Sequence, residues 1–372
     1  MPLKVPGYAL CVYPAHPHAS TPPDASGAAH PAPGEPGHAP TSAIGGYVGV
    51  KLALAGNDVS FIVRGANLEA IRRDGMKLVM HDGAEHVARN VLATNDYAQA
   101  GAQDIVIIAV KAHQVGALVG DLPKLIGPQT VIVTMQNGIP FWYFHAHGGA
   151  LAGSVVESVD PGGALLRSIP ADRIIGSVVY PACELLAPGV VRHVEGDRFP
   201  IGELDGSASE RVKRVAQCFE AAGFKSPVLD DIRAEIWLKL WGNLTFNPIS
   251  ALAHATLAGI CRYPLARELA ADMMREAQAV ANKLGIGFRV TLERRIAGAE
   301  KVGEHKTSML QDVEAGRAPE IDALVGSVAE LGRLTGTATP HIDTVYALVK
   351  LLAQTLAAGP SQLRVQPLRA SA

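Results

Sequence analysis

Three polar residues recur at four-residue intervals in an otherwise apolar stretch, residues 235–248. They are Lys239, Asn243 and Asn247. On a helix, side chains four positions apart share one face and drift by about 40° per step, and the tryptophans and leucines between them favour burial of the other faces. A lysine and two amides aligned on such a helix need polar partners. The alternative is that Lys239 extends to solvent and the asparagines cap a turn before Pro248.

A second set of residues follows part of the dinucleotide-binding pattern, which joins a strand, a glycine-rich turn and a helix. Gly45 and Gly46 lie at the start of a predicted helix, and Arg64 ends the next predicted strand. A guanidinium at this position suits a 2′-phosphate, which favours NADP over NAD. The first two glycines of the pattern are replaced by Pro40 and Ser42. A glycine-mediated contact between helix and sheet, without a nucleotide, is therefore the alternative.

The elements that must position these residues alternate between strands and helices. Strands are predicted at residues 59–63, 78–80, 87–92, 104–111 and 130–135, and helices at 43–56, 68–74 and 115–125. Asp82-Gly83 predicts a hairpin between the second and third of these strands. The alternation favours right-handed βαβ units in a doubly wound parallel sheet. Further strands are predicted at 154–158, 174–180, 190–194 and 199–202, then a helix at 210–222, and the pattern is almost purely helical from residue 230 to about 358.

We therefore predict an α/β protein with a Rossmann-like doubly wound parallel sheet followed by an all-helical C-terminal domain. Residues 41–228 form the NADP-binding domain, 229–360 the helical substrate and catalytic domain, and 361–372 a short tail. Residues 1–40 are rich in Pro, Gly, Ala, Ser and His, which predicts a disordered tail. The one candidate strand there is 8–13. The first strand of a doubly wound sheet has neighbours on both sides, so we expect this segment, rather than 34–39, to fill that position.

The composition excludes several function classes. The 372 residues suit two domains, and a net charge of −2 indicates neither nucleic acid nor an anionic membrane as a partner. No apolar run approaches the ~20 residues of a membrane span. The four cysteines are scattered without metal-ligand spacing, which favours reduced thiols in a cytoplasmic protein and no metal site. We expect a monomer or homodimer that acts on a small molecule.

Seven short motifs between residues 43 and 358 resemble those of the ketopantoate reductase family, the 2-dehydropantoate 2-reductases. In chain order they are Ala43-Ile-Gly-Gly, Val63-Arg-Gly, Val110-Lys-Ala, Gln136-Asn-Gly, Arg233-Ala-Glu-Ile-Trp-Leu-Lys-Leu with Asn243 and Asn247-Pro, Ser308-Met-Leu-Gln-Asp and Glu320-Ile-Asp. Each motif is weak alone, and their common order is what makes the resemblance specific. It implies a Rossmann domain and a helical domain with the active site between them. The implied reaction is NADPH-dependent reduction of 2-dehydropantoate, a 2-keto acid, to (R)-pantoate in pantothenate biosynthesis.

The resemblance also implies roles for single residues. Lys239 is the general acid that protonates the substrate oxygen, and a lysine that loses water in an apolar cleft has a suitably lowered pKa. The catalytic residues implied are Lys239, Asn243 and Glu320. The substrate-binding residues implied are Asn247, Ser308, Asn137 and Lys111. The cofactor-binding residues implied are Ala43, Ile44, Gly45, Arg64, Lys111 and Asn137.

Structural alternatives exist for four of these residues. Lys111 could be a solvated lysine at a strand end, and Asn137 part of a turn. Ser308 could be a helix N-cap, and Glu320 a first-turn carboxylate on a helix dipole.

Two alternatives to the implied function follow from the N-terminus and the substrate motifs. Family members begin with a short strand that runs directly into Gly-x-Gly, whereas here a low-complexity segment precedes Ser42. One alternative is therefore a cofactor-impaired or non-catalytic member of the family. The other is a related NADP-dependent reductase of a different 2-keto acid.

Overall fold

The computed structural model describes residues 43–358 and Val365, and the backbone of Gly7–Cys11. The strands are β1 (Gly7–Cys11), β2 (Asp58–Ile62), β3 (Met76–Val79), β4 (Glu85–Ala88), β5 (Val91–Thr94), β6 (Gln103–Ile108), β7 (Ile126–Thr134), β8 (Ile174–Ser177), β9 (Ala182–Ala187), β10 (Val190–Glu195) and β11 (Ile201–Glu203). The helices are α1 (Ala43–Leu54), α2 (Gly65–Asp74), α3 (Tyr97–Ala100), α4 (Ala164–Ser168), α5 (Glu210–Ala221), α6 (Ile232–Ala253), α7 (Leu257–Arg262), α8 (Pro264–Lys283), α9 (Leu292–Val302), α10 (Ser308–Glu314), α11 (Ser327–Thr335) and α12 (Pro340–Ala357).

The large sheet has the strand order β5-β2-β1-β6-β7-β8-β11. All neighbours are parallel except β11, which runs antiparallel to β8. Numbered along the chain, the six parallel strands stand in the order 3-2-1-4-5-6, which is the doubly wound order of dinucleotide-binding domains. The last four residues of β6 and the last five of β7 are buried, and most of them are apolar, as expected for a sheet covered on both faces. The predicted fold class is confirmed.

Strand β1 occupies the central position of this sheet. It pairs in parallel with β2, from Gly7 opposite Asp58, and with β6, from Tyr8 opposite Ile105. The prediction that residues 8–13 fill the first-strand position is therefore confirmed for Tyr8–Cys11. The rest of that tail, residues 1–6 and 12–40, lies outside the described residues, as do most of residues 361–372.

A second sheet, with the order β4-β3-β10-β9, packs against α1. The hairpin predicted through Asp82-Gly83 joins β3 to β4. The prediction of one strand over 87–92 is wrong, because the chain leaves the small sheet at Ala88 and enters the large sheet with β5. The local signal for this change is the polar pair Arg89-Asn90, which lies between the two apolar pairs of the predicted strand. Strand β9 was not predicted.

Two other predicted elements are wrong. Residues 115–125 form two short 3-10 segments, Ala112–Leu118 and Leu122–Leu125, because glycines and a proline interrupt the apolar pattern. Residues 154–158 form turns rather than a strand. Their backbone N–H groups at Glu157 and Ser158 donate to the Glu330 carboxylate instead of a neighbouring strand.

The helical region is built around α6, which is buried along most of its length. Helices α8, α10 and α12 pack against it, and its tryptophans are fully buried. A helix this enclosed has few positions that can face a cleft, so its polar face is confined to a narrow stripe. Within the described residues, no helix is both long and apolar enough to cross a membrane.

Candidate active site

Lys239 lies where α6 meets the carboxyl ends of the parallel strands. Its ammonium nitrogen Nζ donates a hydrogen bond to Asn137 Oδ1 at 2.5 Å and a second to the carbonyl of Val179. Asn137 follows β7 and Val179 follows β8, so one lysine of the helical region contacts two strand ends of the sheet. The alternative in which Lys239 extends to solvent is wrong.

Loss of solvent lowers the pKa of Lys239 from its usual value to about 8, although the nearby carboxyl of Glu320 raises it in part. Burial disfavours the charged ammonium. A pKa near the operating pH is the property that an acid catalyst needs, because the group is then protonated yet gives up its proton readily. The surroundings of Lys239 thus suit proton transfer.

Glu320 completes a polar chain with Lys239 and Asn137. Its Oε1 accepts a hydrogen bond from the backbone N–H of Ala112 at 3.0 Å, and its carboxyl also interacts with the Asn137 side chain. Burial raises the pKa of Glu320, and the nearby Lys111 and these hydrogen bonds offset only part of that effect. Asn137 therefore lies between an acid with a raised pKa and a lysine with a lowered one.

Lys111 links the end of β6 to α10. Its Nζ forms an ion pair with Asp312 Oδ2 at 2.6 Å and donates to the Ala318 carbonyl at 3.2 Å. Arg317 Nε contacts the other oxygen of Asp312 at 2.9 Å. Lys111 is thus not a solvated strand-end lysine. Its ammonium group contacts Asp312 and Ala318, which precede Glu320 in the chain.

The other predicted substrate residues have no partners of their own. Asn243 and Asn247 form no side-chain hydrogen bond to any described residue, and Asn247 is only 6% exposed. Helix α6 continues through Pro248 to Ala253, so these asparagines do not cap a turn. Ser308 is exposed in the first turn of α10, and the residue that caps this helix is Thr307, whose hydroxyl accepts from Leu310. The alternative of Ser308 as an N-cap is wrong.

The predicted cofactor residues lie at two corners of the sheet. Ala43, Ile44 and Gly45 form the first turn of α1, and Arg64 follows β2 and precedes α2. They flank the carboxyl end of β1, next to the point between β1 and β6 where the strand order reverses. Open α/β sheets bind ligands there.

Part of the glycine-rich pattern has a structural role as well. At Gly46 an added Cβ would lie 2.4 Å from Met76 Cε and 2.7 Å from Val191 Cγ1, so this glycine allows α1 to approach the second sheet, not the large one. The described residues fit a dinucleotide. Pro40 and Ser42 lie outside the described part of the chain.

The sequence did not indicate a second polar cluster, centred on Glu235. This fully buried carboxylate accepts hydrogen bonds from the Tyr180 hydroxyl at 2.8 Å, Arg198 at 2.7 Å and Arg289 at 2.6 Å. Burial alone would raise the pKa of Glu235, but these hydrogen bonds outweigh it and lower the pKa. The available signal was the spacing: Glu235 stands four residues before Lys239, on the same face of α6.

No group of three or more His, Cys, Asp or Glu side chains in the described residues could hold a metal ion. The arrangement is instead that of an acid catalyst beside a nucleotide-binding sheet, with unbonded amides on the same helix face. It can protonate an oxygen held between α6 and the ends of β6 and β7.

Comparisons with known proteins give a consistent assignment. The family model described as ketopantoate reductase PanE/ApbA matches residues 41–206, and the model of its C-terminal part matches residues 231–353. A 2-dehydropantoate 2-reductase of Mesorhizobium japonicum is 54% identical over 312 residues, which are 84% of this chain and 95% of that protein. A candidate ketopantoate reductase of Ralstonia solanacearum MolK2 has a solved structure with 41% identity and a TM-score of 0.80, over 84% of this chain and 95% of that one.

A more distant structure, D-mandelate dehydrogenase with NADH and anilino(oxo)acetate, shares the fold with a TM-score of 0.71 at 22% identity, over 84% of this chain and 96% of that one. Reductases of this type use a nicotinamide cofactor. The two family models together cover most of the chain, and the sheet has the strand order of a dinucleotide-binding domain. The chain belongs to the ketopantoate reductase family and is an oxidoreductase of the 2-dehydropantoate 2-reductase type.

Proposed function

We propose that this protein reduces 2-dehydropantoate to (R)-pantoate with NADPH, and that Lys239 is the general acid. The observation that carries the proposal is the ammonium of Lys239, held by Asn137 and the Val179 carbonyl at the strand ends, with a pKa lowered to about 8. The 54% identical relative from Mesorhizobium japonicum is a 2-dehydropantoate 2-reductase, which supports this substrate.

Two of the three N–H donors of Lys239 are engaged, which leaves one for a ligand. The nicotinamide cofactor would supply a hydride to the ketone carbon when bound. Lys239 donates its proton to the ketone oxygen as negative charge develops there. Asn137 and Val179 hold Nζ in position, so little reorganisation is needed when the proton moves.

The unbonded polar groups near Lys239 are suited to substrate contacts. Asn243 and Asn247 present amides from the same helix face, and polar groups without partners near a cleft are costly unless a ligand satisfies them. Glu320, with its raised pKa, can form a hydrogen bond with a substrate hydroxyl. The exposed Ser308 hydroxyl can donate a hydrogen bond to the substrate carboxylate. Lys111 would stabilise this segment through its ion pair with Asp312.

Arg64 supports NADPH as the preferred cofactor. It stands after β2, where a carboxylate would instead bind the ribose hydroxyls of NAD. A guanidinium can pair with the 2′-phosphate that only NADPH carries.

A turnover assay tests the proposed function. The purified protein is mixed with NADPH and 2-dehydropantoate, and then with a panel of other 2-keto acids, while loss of NADPH absorbance is followed. We expect the highest kcat/KM for 2-dehydropantoate. A higher value for another 2-keto acid would reassign the substrate, and no turnover with any of them would contradict the proposal.

Lys239→Ala should lower kcat by roughly 10²- to 10⁴-fold, because general acid help is lost, while the unfolding temperature and NADPH affinity change little. Lys283→Ala is the matched control, since Lys283 is exposed at the end of α8. A Lys239→Ala variant that turns over within a few-fold of the parent would show that Lys239 is not the acid.

A further inference from the structure

Arg295 of α9 lies across the backbone of α6. An added Cβ at Gly242 would be 2.0 Å from Arg295 Nη2 and 2.8 Å from its Cζ, so only glycine leaves room for the guanidinium. Glycine in a helix interior costs about 1 kcal/mol relative to alanine. Helix α6 therefore carries a locally unfavourable residue where the arginine crosses it.

The guanidinium of Arg295 has no anionic partner in the described part of the chain. No hydrogen bond or ion pair of its side chain is found there, although the residue is only partly exposed. Burial lowers the pKa of Arg295, and the electrostatic interaction with Tyr180 raises it by less than burial lowers it. The neighbouring Arg198 and Arg289 differ, because both pair with Glu235. A partly desolvated cation without a counter-ion has a desolvation cost. A bound anion would offset this cost.

The guanidinium lies beside the group proposed to be the acid. Gly242 is three residues after Lys239 on α6, about 60° around the helix and within one turn, ~5.4 Å along the axis. Arg295 is also near Tyr180, which directly follows the Val179 carbonyl that accepts from Lys239. Ammonium and guanidinium therefore border the same short segment of the α/β domain.

The charges around this segment favour an anionic ligand. Lys239, Arg198, Arg289 and Arg295 bring four positive charges to it. Glu235 supplies one negative charge, which Arg198 and Arg289 share. The carboxyl of Glu320 is also near Lys239, but burial raises its pKa and so favours its neutral form. A 2-keto acid carries its carboxylate on the carbon next to the ketone, so a cation about one helical turn from the acid catalyst is suitably placed. Arginine also binds carboxylates through two parallel hydrogen bonds.

We propose that Arg295 binds the carboxylate of the 2-keto acid and makes the enzyme selective for anionic substrates. The inference rests on the proposed function for the identity of the ketone. In this arrangement the substrate carboxylate contacts the Arg295 guanidinium in addition to the neutral Ser308 hydroxyl. Gly242 is required because it gives the guanidinium access to this position.

The test compares a 2-keto acid with its uncharged primary amide. In Arg295→Gln we expect kcat/KM for 2-dehydropantoate to fall roughly 10- to 150-fold, the range of a hydrogen bond to a charged group, mainly through KM. The value for the amide should stay within about three-fold, and Arg295→Lys should recover part of the loss. The matched control is Arg294→Gln, which removes the same charge from an exposed neighbour. Equal losses for acid and amide, or no loss, would overturn the inference.

Two further measurements separate this inference from the proposed function. If the parent protein turns over no 2-keto acid, binding of pantoate and of its amide is measured by titration calorimetry. If Arg295→Gln loses affinity for pantoate but not for the amide, the inference is supported although the proposed function fails. If the variant binds both ligands as tightly as the parent does, the inference is contradicted as well. If Arg295→Gln does not fold, Gly242→Ala replaces it, because the methyl group displaces the guanidinium without removing a charge. The same acid-specific loss is expected, and its absence overturns the inference.

Discussion

At the scale of single residues, the chemistry of this site depends on how few partners Lys239 has. Asn137 and the Val179 carbonyl orient the ammonium but do not neutralise it, and the carboxyl of Glu320 offsets only part of the desolvation. A direct ion pair would instead have raised the pKa and made the lysine a poorer acid. Polar contact without full charge compensation thus keeps the lysine both in place and reactive.

The pKa of Lys239 predicts a pH dependence. Reduction requires the protonated ammonium, so kcat/KM for the keto acid should be constant below about pH 8 and fall as the pH rises through that value. Oxidation of the hydroxy acid requires the neutral amine and should rise over the same interval. Initial rates in both directions between pH 6 and 10, at saturating cofactor, check this. A reduction rate that increases through pH 8 would contradict the assignment.

Arg64 gives a prediction about cofactor choice. Arg64→Ala should weaken NADPH binding by roughly 1.5–3 kcal/mol, the value of a hydrogen bond between charged groups, and NADH binding much less. Dissociation constants for both cofactors, from quenching of protein fluorescence, measure the difference. Arg73→Ala is the control, because Arg73 on the neighbouring α2 pairs only with the exposed Asp74. Equal losses for the two cofactors would exclude a contact with the 2′-phosphate.

At the scale of secondary-structure elements, two helices position the site through close contacts made at glycine. Helix α1 approaches the second sheet at Gly46, and α6 admits Arg295 at Gly242. Helix α6 is further held by Glu235, which joins Tyr180 and Arg198 of the α/β domain to Arg289 of the helical one. Lys239, the acid in the proposed function, is therefore fixed one turn away from a buried contact between the α/β and helical regions.

The contact at Gly46 predicts a change in stability. Gly46→Val should lower the free energy of unfolding by about 1–3 kcal/mol, the usual cost of overpacking, because Val191 is branched and cannot move aside easily. Gly298→Val in α9 is the matched control, since no atom lies within 4 Å of an added Cβ there, and its effect should stay within about 0.5 kcal/mol. Urea unfolding of both variants measures the difference. Equal values would show that α1 is not packed as described.

Across the whole molecule, the candidate site is built from both the α/β region and the helical region. Lys239 comes from the helical domain, whereas Asn137, Val179 and the backbone of Ala112 come from the ends of β7, β8 and β6. Those strand ends are aligned only if the parallel sheet is complete. The central strand β1 is therefore a condition for the geometry of the site, although it contributes no described side chain to it.

Strand β1 provides the test at this scale. Deletion of residues 1–11 would leave β2 and β6 without a common neighbour, and unpaired buried backbone groups cost about 1–3 kcal/mol each, against a typical total stability of 5–15 kcal/mol. We expect loss of cooperative thermal unfolding, measured by circular dichroism, and loss of NADPH binding, measured by fluorescence. Deletion of residues 1–6 is the control, because it leaves the paired segment Gly7–Cys11 in place. A stable, NADPH-binding protein without residues 1–11 would show that β1 is dispensable.

Elements with a local signal could be predicted from the amino-acid sequence. The four-residue spacing of Lys239, Asn243 and Asn247 defined the polar face of α6, and apolar runs bounded by polar residues located β2, β6 and β7. The central position of Gly7–Cys11 also followed, since no other apolar segment before α1 has the length of a strand. These features depend on periodicity and strand-end rules that a short stretch of chain carries with it.

Features that depend on distant parts of the chain became visible only in the folded protein. The partners of Lys239 are 102 and 60 residues away in the chain, and its lowered pKa exists only because folding removes water around it. The crossing of Arg295 over Gly242 has no local signal either. The physical reason is that pairing, desolvation and close packing are properties of neighbours in space, which periodicity along the chain does not encode.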